Sequence, residues 1–172
     1  MSSTTASTFL TLEDYQKQYG SEHGWEYDNG EAVKKPVPDW LHGALQALLV
    51  ELLYRAGYYS SSEVDLHIIA TWSPRPDAAG NLKRIDKYPT EPIDIVMEVL
   101  SDDQMDDLLK KCTRYSALGI RQIFVLSGEH HKIWVWKSET LYPIDDIALG
   151  NGKVILGATI WSELEKRLNP PA

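Results

Sequence analysis

Ile93-Asp94-Ile95-Val96-Met97-Glu98-Val99-Leu100 is the most strand-like stretch of the chain. It is nearly continuously apolar, the pattern of a central strand covered on both faces. Ser101-Asp102-Asp103-Gln104 follows at once and reads as a capping box, so a helix starts there. That helix runs to about Leu118 and stops at Gly119. Ile120 to Leu126 is a second buried strand. Strand, helix and strand in this order predict a βαβ unit with parallel strands and a right-handed crossover.

The rest of the chain extends this unit in both directions. Lys132 to Lys137 is a further strand, after a hairpin loop over Ser127–His131; beyond Thr140 the pattern is less regular until a last short helix, about Ile160 to Leu168. Upstream, Val64, Leu66 and Ile68 alternate with Glu63, Asp65 and His67, which predicts a strand from Glu63 to Trp72. Ser73-Pro74-Arg75-Pro76 breaks it, and Asp77-Ala78-Ala79-Gly80 is a weak signal for a restart. Asp39 opens a long helix to about Ala56, with Trp40, Leu41, Ala44, Leu45, Leu48, Leu49, Leu52 and Leu53 on one broad apolar face. Trp25 to Val33 reads as a hairpin around Asn29-Gly30, because a type I′ turn needs positive φ at both positions. Thr11 caps a short helix. Residues 1–8 are Ser/Thr-rich and read as a flexible N-terminus, which leaves 9–172 as a single domain. The fold class expected is α/β, a mixed β-sheet flanked by helices.

Bulk properties narrow the function. Among 172 residues, 43% are hydrophobic and 24% charged, enough for a packed core and unlike a disordered chain. A net charge of −8 argues against a protein that coats polyanions, though a local basic groove beside an acidic site remains compatible with it. The lone Cys112 excludes an intrachain disulfide and fits a reducing compartment. Neither a signal segment nor a membrane-length apolar run is visible, so the expectation is a cytoplasmic protein with no membrane partner.

Three residues carry the candidate chemistry. Glu98 lies inside an apolar strand, where an unpaired carboxylate is costly to bury. Asp77 leaves the Arg75-Pro76 turn, with Arg75 held extended by the proline. Lys111 falls on the border of the inward stripe formed by Leu108, Leu109, Cys112, Tyr115 and Ser116, while Lys110 points away. Taken singly, each has a plainer reading: an edge Glu, a turn Asp, a lysine snorkelling to solvent. Together, two carboxylates suit Mg²⁺ or Mn²⁺, and a lysine beside them can orient a water or offset charge on a phosphoryl group. On this reading both Lys111 and Lys110 can be replaced without loss of the fold, since neither fills the core. The His130-His131 pair lacks a third spaced ligand and reads as an exposed loop, and Cys112 as an inert core thiol. No Gly-rich phosphate loop or zinc pattern is present, and most of the six tryptophans read as core.

The same residues carry a resemblance. Trp25-Glu26-Tyr27-Asp28-Asn29-Gly30-Glu31, His42, Pro76-Asp77, Pro92 with Val96-Met97-Glu98-Val99-Leu100-Ser101, and Lys111, Tyr115, Gly119 and Ile120 follow one another in the order and spacing of one family. Residues 24–142 resemble the Uma-type restriction endonucleases, a branch of the PD-(D/E)XK nuclease superfamily. The resemblance implies a restriction-endonuclease-like fold and metal-dependent DNA cleavage, with Asp77 and Glu98 as metal ligands and Lys111 as the catalytic lysine. The superfamily's usual lysine, two positions after the glutamate, is Leu100 here; in the Uma-type branch it lies on the next helix, as Lys111 does. Glu31, Glu63 or His42 are candidates to complete the site. A homodimer follows by analogy with nucleases that cut both strands. The alternative is a non-catalytic binding or assembly module on a nuclease-like fold, which the acidic charge favours.

Overall fold

A computed structural model describes residues 9–101 and 104–171. The expected βαβ unit is its centre. Strand β6 (Ile95–Val99) pairs in parallel with β7 (Gln122–Ser127), Ile95 opposite Gln122 and Val99 opposite Leu126, and helix α3 (Met105–Ala117) connects them. Around this pair lies a six-stranded mixed sheet in the order β3-β5-β6-β7-β8-β9, where β3 is Tyr59–Ser61, β5 Ala78–Asn81, β8 Lys132–Lys137 and β9 Thr140–Ile144. Every other neighbouring pair in it is antiparallel.

The two faces of β6 are buried separately. Ile95, Met97 and Val99 pack with Leu45, Leu48 and Leu53 of helix α2 (Trp40–Arg55), and with Ile160 and Leu164 of helix α4 (Gly157–Leu168). Val96 faces the other way, against Leu108, Cys112 and Tyr115 of α3. Strand alternation therefore puts Glu98 on the α3 side. Before α2 come helix α1 (Leu12–Tyr19), capped by Thr11 with Asp14 in a capping box, and the hairpin of β1 (Trp25–Asp28) and β2 (Glu31–Lys34). Its turn residues Asn29 and Gly30 have φ of 47° and 90°, as the Asn-Gly pair requires. This hairpin forms a small separate sheet with β4 (Trp72–Ser73). No helix among the described residues is long and apolar enough to cross a membrane.

Several sequence expectations need correction. The strand from Glu63 to Trp72 does not form; only Trp72–Ser73 is strand, with an isolated bridge between Ile69 and Trp72. The amides of Glu63 and Leu66 donate to the carbonyls of Pro76 and Pro74, and a proline has no N–H to return, so no regular ladder can grow. Helix α3 begins at Met105 with Gln104 as an N-cap that makes no side-chain bond. The Ser101 hydroxyl instead lies 3.3 Å from Nδ1 of His42; Asp102 and Asp103 of the expected capping box, like the N-terminal residues 1–8, lie outside the described residues. After Thr140 the chain is regular: β9 is followed by the hairpin of β10 (Asp146–Ala148) and β11 (Val154–Leu156). Pro143 masks β9 in the sequence but is tolerated because β9 is the last strand of the sheet. Trp40, at the start of α2, is 83% exposed, and Ser116 is exposed too, so each amphipathic face is narrower than its periodicity suggests. Only Trp72 and Trp136 of the six tryptophans are buried.

Candidate active site

The weak strand signal after Asp77 has a steric cause that also shapes the site. A Cβ on Gly80 would sit 2.8 Å from Ile95 Cγ2 and 3.3 Å from Tyr58 Cβ, so β5 needs its smallest residue to lie against β6. That approach brings Asp77, one residue before β5, to the end of β6. Its Oδ2 accepts the Val99 N–H at 2.8 Å, and its Oδ1 lies 3.3 Å from His42 Nε2 and 3.6 Å from Lys35 Nζ. Glu98, on β6, accepts a 2.5 Å hydrogen bond from the Tyr115 hydroxyl and lies 3.1 Å from Lys111 Nζ. Tyr115 follows Lys111 by one helical turn, so α3 delivers both to the same carboxylate.

Lys111 also donates to Glu26 of β1 at 2.8 Å. Lys35, from the connector after β2, lies 2.8 Å from Glu63, 3.8 Å from Glu26 and 2.9 Å from the Arg75 carbonyl. The result is a network of Glu26, Glu63, Asp77, Glu98, Lys35 and Lys111 along a cleft of about 520 Å³. Arg75 holds the floor from behind: its guanidinium grips Asp65 at 2.9 and 3.0 Å, both residues buried, and its N–H donates to Glu26.

Burial and neighbouring charge act differently on the two central acids. Burial, with Asp77 alongside, pushes Glu98 up to about 7 against the pull of Lys111 and Lys35. Burial also opposes ionisation of Asp77, but the hydrogen bond from His42 and the charge of Lys35 hold its carboxyl well below the usual range. Burial works against the charge of Lys111, and Glu98 and Glu26 overcome it, so its ammonium persists beyond the ordinary lysine range. His42 is likewise disfavoured by burial and raised overall by Asp77.

Asp77, Glu98 and Lys111 thus share one cleft, with His42 on Asp77 and Glu63 one lysine removed. Glu31 is exposed and does not line the cleft: it shares a face with Asp28 and Val33, which do, but sits at the turn end of β2. Lys110 is exposed and pairs with Asp107, whereas the Lys111 side chain is 16% exposed and ion-paired twice. Replacing Lys111 would leave the buried Glu98 and the partly buried Glu26 without their shared cation, a cost that the expectation of an unaffected fold did not include. Two participants had no role in the sequence reading, Glu26 and Lys35. Glu26 lay within the hairpin motif, a usable signal; Lys35, in a Pro-containing connector, gave none. Among the described residues, no three His, Cys, Asp or Glu side chains converge to hold a metal ion by themselves. Two hard carboxylates with water and phosphate completing the shell nevertheless suit Mg²⁺, which usually keeps several waters. The donor set fits a divalent ion.

A mixed sheet bearing an acid at the end of each of two adjacent strands, with a helix lysine between them, defines the restriction-endonuclease-like class. The chain belongs to the family Uma2, described as "Putative restriction endonuclease", whose model matches residues 12–164. Its fold is similar to the crystal structure of "a putative nuclease belonging to DUF820" from Anabaena variabilis ATCC 29413, with a TM-score of 0.71 and 18% identity over 90% of this chain and 99% of that one. A cryo-EM structure of a DrdV–DNA complex aligns at a TM-score of 0.37 and 16% identity, over 74% of this chain and 11% of that one. No curated protein matches the chain.

Proposed function

We propose that this protein is a divalent-metal-dependent endonuclease that hydrolyses phosphodiester bonds of DNA. The observation that carries the reading is convergence: Asp77 from the edge of β5, Glu98 from β6 and Lys111 from α3 meet in one cleft, Lys111 Nζ lying 3.1 Å from Glu98. Asp77 and Glu98 would hold Mg²⁺ or Mn²⁺. When bound, the ion supplies Lewis acidity toward the phosphoryl group and acidifies water. Lys111 orients the attacking water and offsets charge that develops on the phosphoryl oxygens. His42 fixes Asp77, and Tyr115 fixes Glu98, each by a bond to one carboxylate oxygen. Lys34, Lys110 and Arg114 join Lys35 and Lys111 in lining the cleft, interspersed with its acids, and can meet backbone phosphates there. A homodimer would place one cleft on each strand of a duplex.

The second reading, a non-catalytic binding or assembly module, is favoured by the closure of the ion-pair network, which satisfies every central acid without a metal. One assay separates the two. Linear, nicked, branched and single-stranded DNA are incubated with Mg²⁺ or Mn²⁺ and with wild type or Glu98→Gln. The nuclease reading expects cleavage by wild type and at least about a hundredfold loss in the variant. Absence of cleavage across the panel rejects it.

A further inference from the structure

Lys35 is held more firmly than cleft lysines that only meet a phosphate need to be. Two of its protons are committed, to Glu63 at 2.8 Å and to the Arg75 carbonyl at 2.9 Å. The Arg75 main chain is itself fixed by the N–H bond to Glu26 and by the buried grip on Asp65. The ammonium is thereby parked 3.6 Å from Asp77 Oδ1 and 3.8 Å from Glu26 Oε1, too long for good hydrogen bonds but close for charges in a site only 17% exposed. Glu63 receives a second donor, Gln46 Nε2 at 3.5 Å, which keeps the tether in place. The other acids of the cleft are occupied elsewhere, Asp28 by Arg114 and Asp107 by Lys110. A second metal ion beside Asp77 would need Glu26 or Glu63, and both already face Lys35.

We infer that Lys35 is a built-in second cation of this site, standing beside Asp77 where a second divalent ion would otherwise be required, so that the site takes one divalent ion per chain. The inference rests on the metal-dependent nuclease reading and deepens it. Lys35 faces the phosphodiester beside that ion, as a fixed charge that needs no reorganisation. Asp77 and Glu98 remain the residues that would hold the ion.

Calorimetric titration of Mn²⁺ into the full chain tests this, with Lys35→Met, Lys35→Gln and Lys35→Arg beside wild type. The glutamine can still donate to Glu63 or to the Arg75 carbonyl, so it carries the test if the methionine variant fails to fold. Wild type and Lys35→Arg should bind one Mn²⁺ per chain. Lys35→Gln should bind its first Mn²⁺ about tenfold tighter, since a unit charge of the same sign has left, or should admit a second ion. Single-turnover cleavage should fall about tenfold or more in the same variant, so metal affinity and turnover move in opposite directions. A lysine with a purely structural role would not move them that way. Two ions of similar affinity on wild type, or a Lys35→Gln titration that overlays wild type, would overturn the inference. No Mn²⁺ binding by wild type would remove both this inference and the nuclease reading. The expected titrations without cleavage of any DNA would uphold the role of Lys35 as cation and remove the nuclease reading alone.

Discussion

Replacing Lys111 with methionine removes the one ammonium that bridges Glu26 at 2.8 Å and Glu98 at 3.1 Å. A charge pair at such distances interacts by roughly 5 kcal/mol at an effective dielectric of about 20, and breaking a buried pair by deleting one partner costs about 3–5 kcal/mol in practice. That is a large part of a total stability on the order of 5–15 kcal/mol. The protein has one way to limit the loss, which is to protonate Glu98. With the lysine present burial already pushes this carboxyl up to about 7; without it the value goes higher. The folded state then binds more protons than the unfolded chain, whose glutamates titrate near about 4.3, so stability falls as pH rises through that interval. Lys111→Met should therefore be most destabilised at pH 8 and noticeably relieved at pH 6. Adding Glu98→Gln should restore much of the loss at pH 8, because the stranded charge is gone. Lys110→Met, which loses an exposed pair at 3.1 Å, should stay within about 0.5 kcal/mol of wild type. Urea unfolding of wild type and the three variants at both pH values measures this, and single-turnover cleavage on the folded fractions should show about a hundredfold or greater loss only where Lys111 is missing. A Lys111→Met protein as stable as wild type at pH 8, or one not helped by Glu98→Gln, would refute the account of the network.

Asp77→Asn and Glu98→Gln should each abolish specific Mn²⁺ binding in a calorimetric titration, since each removes a charged oxygen ligand; unchanged affinity in either would strike that residue from the ligand set. Arg75→Met should lower stability by about 3–5 kcal/mol by leaving Asp65 buried and unpaired, and Asp65→Leu in the same chain should recover most of it, both read from urea midpoints. His67, pushed down by burial and accepting from the Gln16 amide at 2.8 Å, stays neutral in the fold while the unfolded chain takes up a proton near about pH 6.5. Its contribution to stability is therefore lost as pH falls below that value, and His67→Gln should lose less stability than wild type between pH 7.5 and 5.5; equal losses would reject the assignment.

What could be read from the chain divides along a physical line. Periodicity reports which face of an element is covered, so the βαβ unit, α2 and the 25–34 hairpin were all legible, as was the turn of α3 that puts Lys111 inward and Lys110 outward. It does not report what covers a polar face. Glu63, Asp65 and His67 alternate with Val64, Leu66 and Ile68 as a solvent-edged strand would, yet Asp65 is buried against Arg75 and Glu63 faces Lys35. Their partners come from 10 and 28 residues away, from a Pro-rich turn and a Pro-containing connector with no periodicity at all. The weak 77–80 signal had a different origin. Small residues there lower the strand propensity because Gly80 must fit against Ile95 and Tyr58, and that same closeness brings Asp77 to the Val99 amide.

The candidate site was therefore half legible, and the division has a cause. Glu98 announced itself by being a carboxylate in an apolar strand, an anomaly any periodic reading detects. Lys111 stood on the border of a helical stripe, which made it visible once Glu98 was suspected. Glu26 and Lys35 violate no pattern, because a strand of four residues with alternate polar positions and a lysine in a connector are both ordinary. Their roles exist only through contacts across the fold: Glu26 receives Lys111 from 85 residues away, and Lys35 approaches Asp77. Compensation explains why they escape notice. Glu98 is an exception to burial that the sequence shows, whereas Lys35, which stands beside Asp77, comes from a segment where charge is unremarkable. A site built this way shows a neutralising residue to sequence reading only where it stands on a periodic element, as Lys111 does on α3, and hides one that comes from a connector, as Lys35 does.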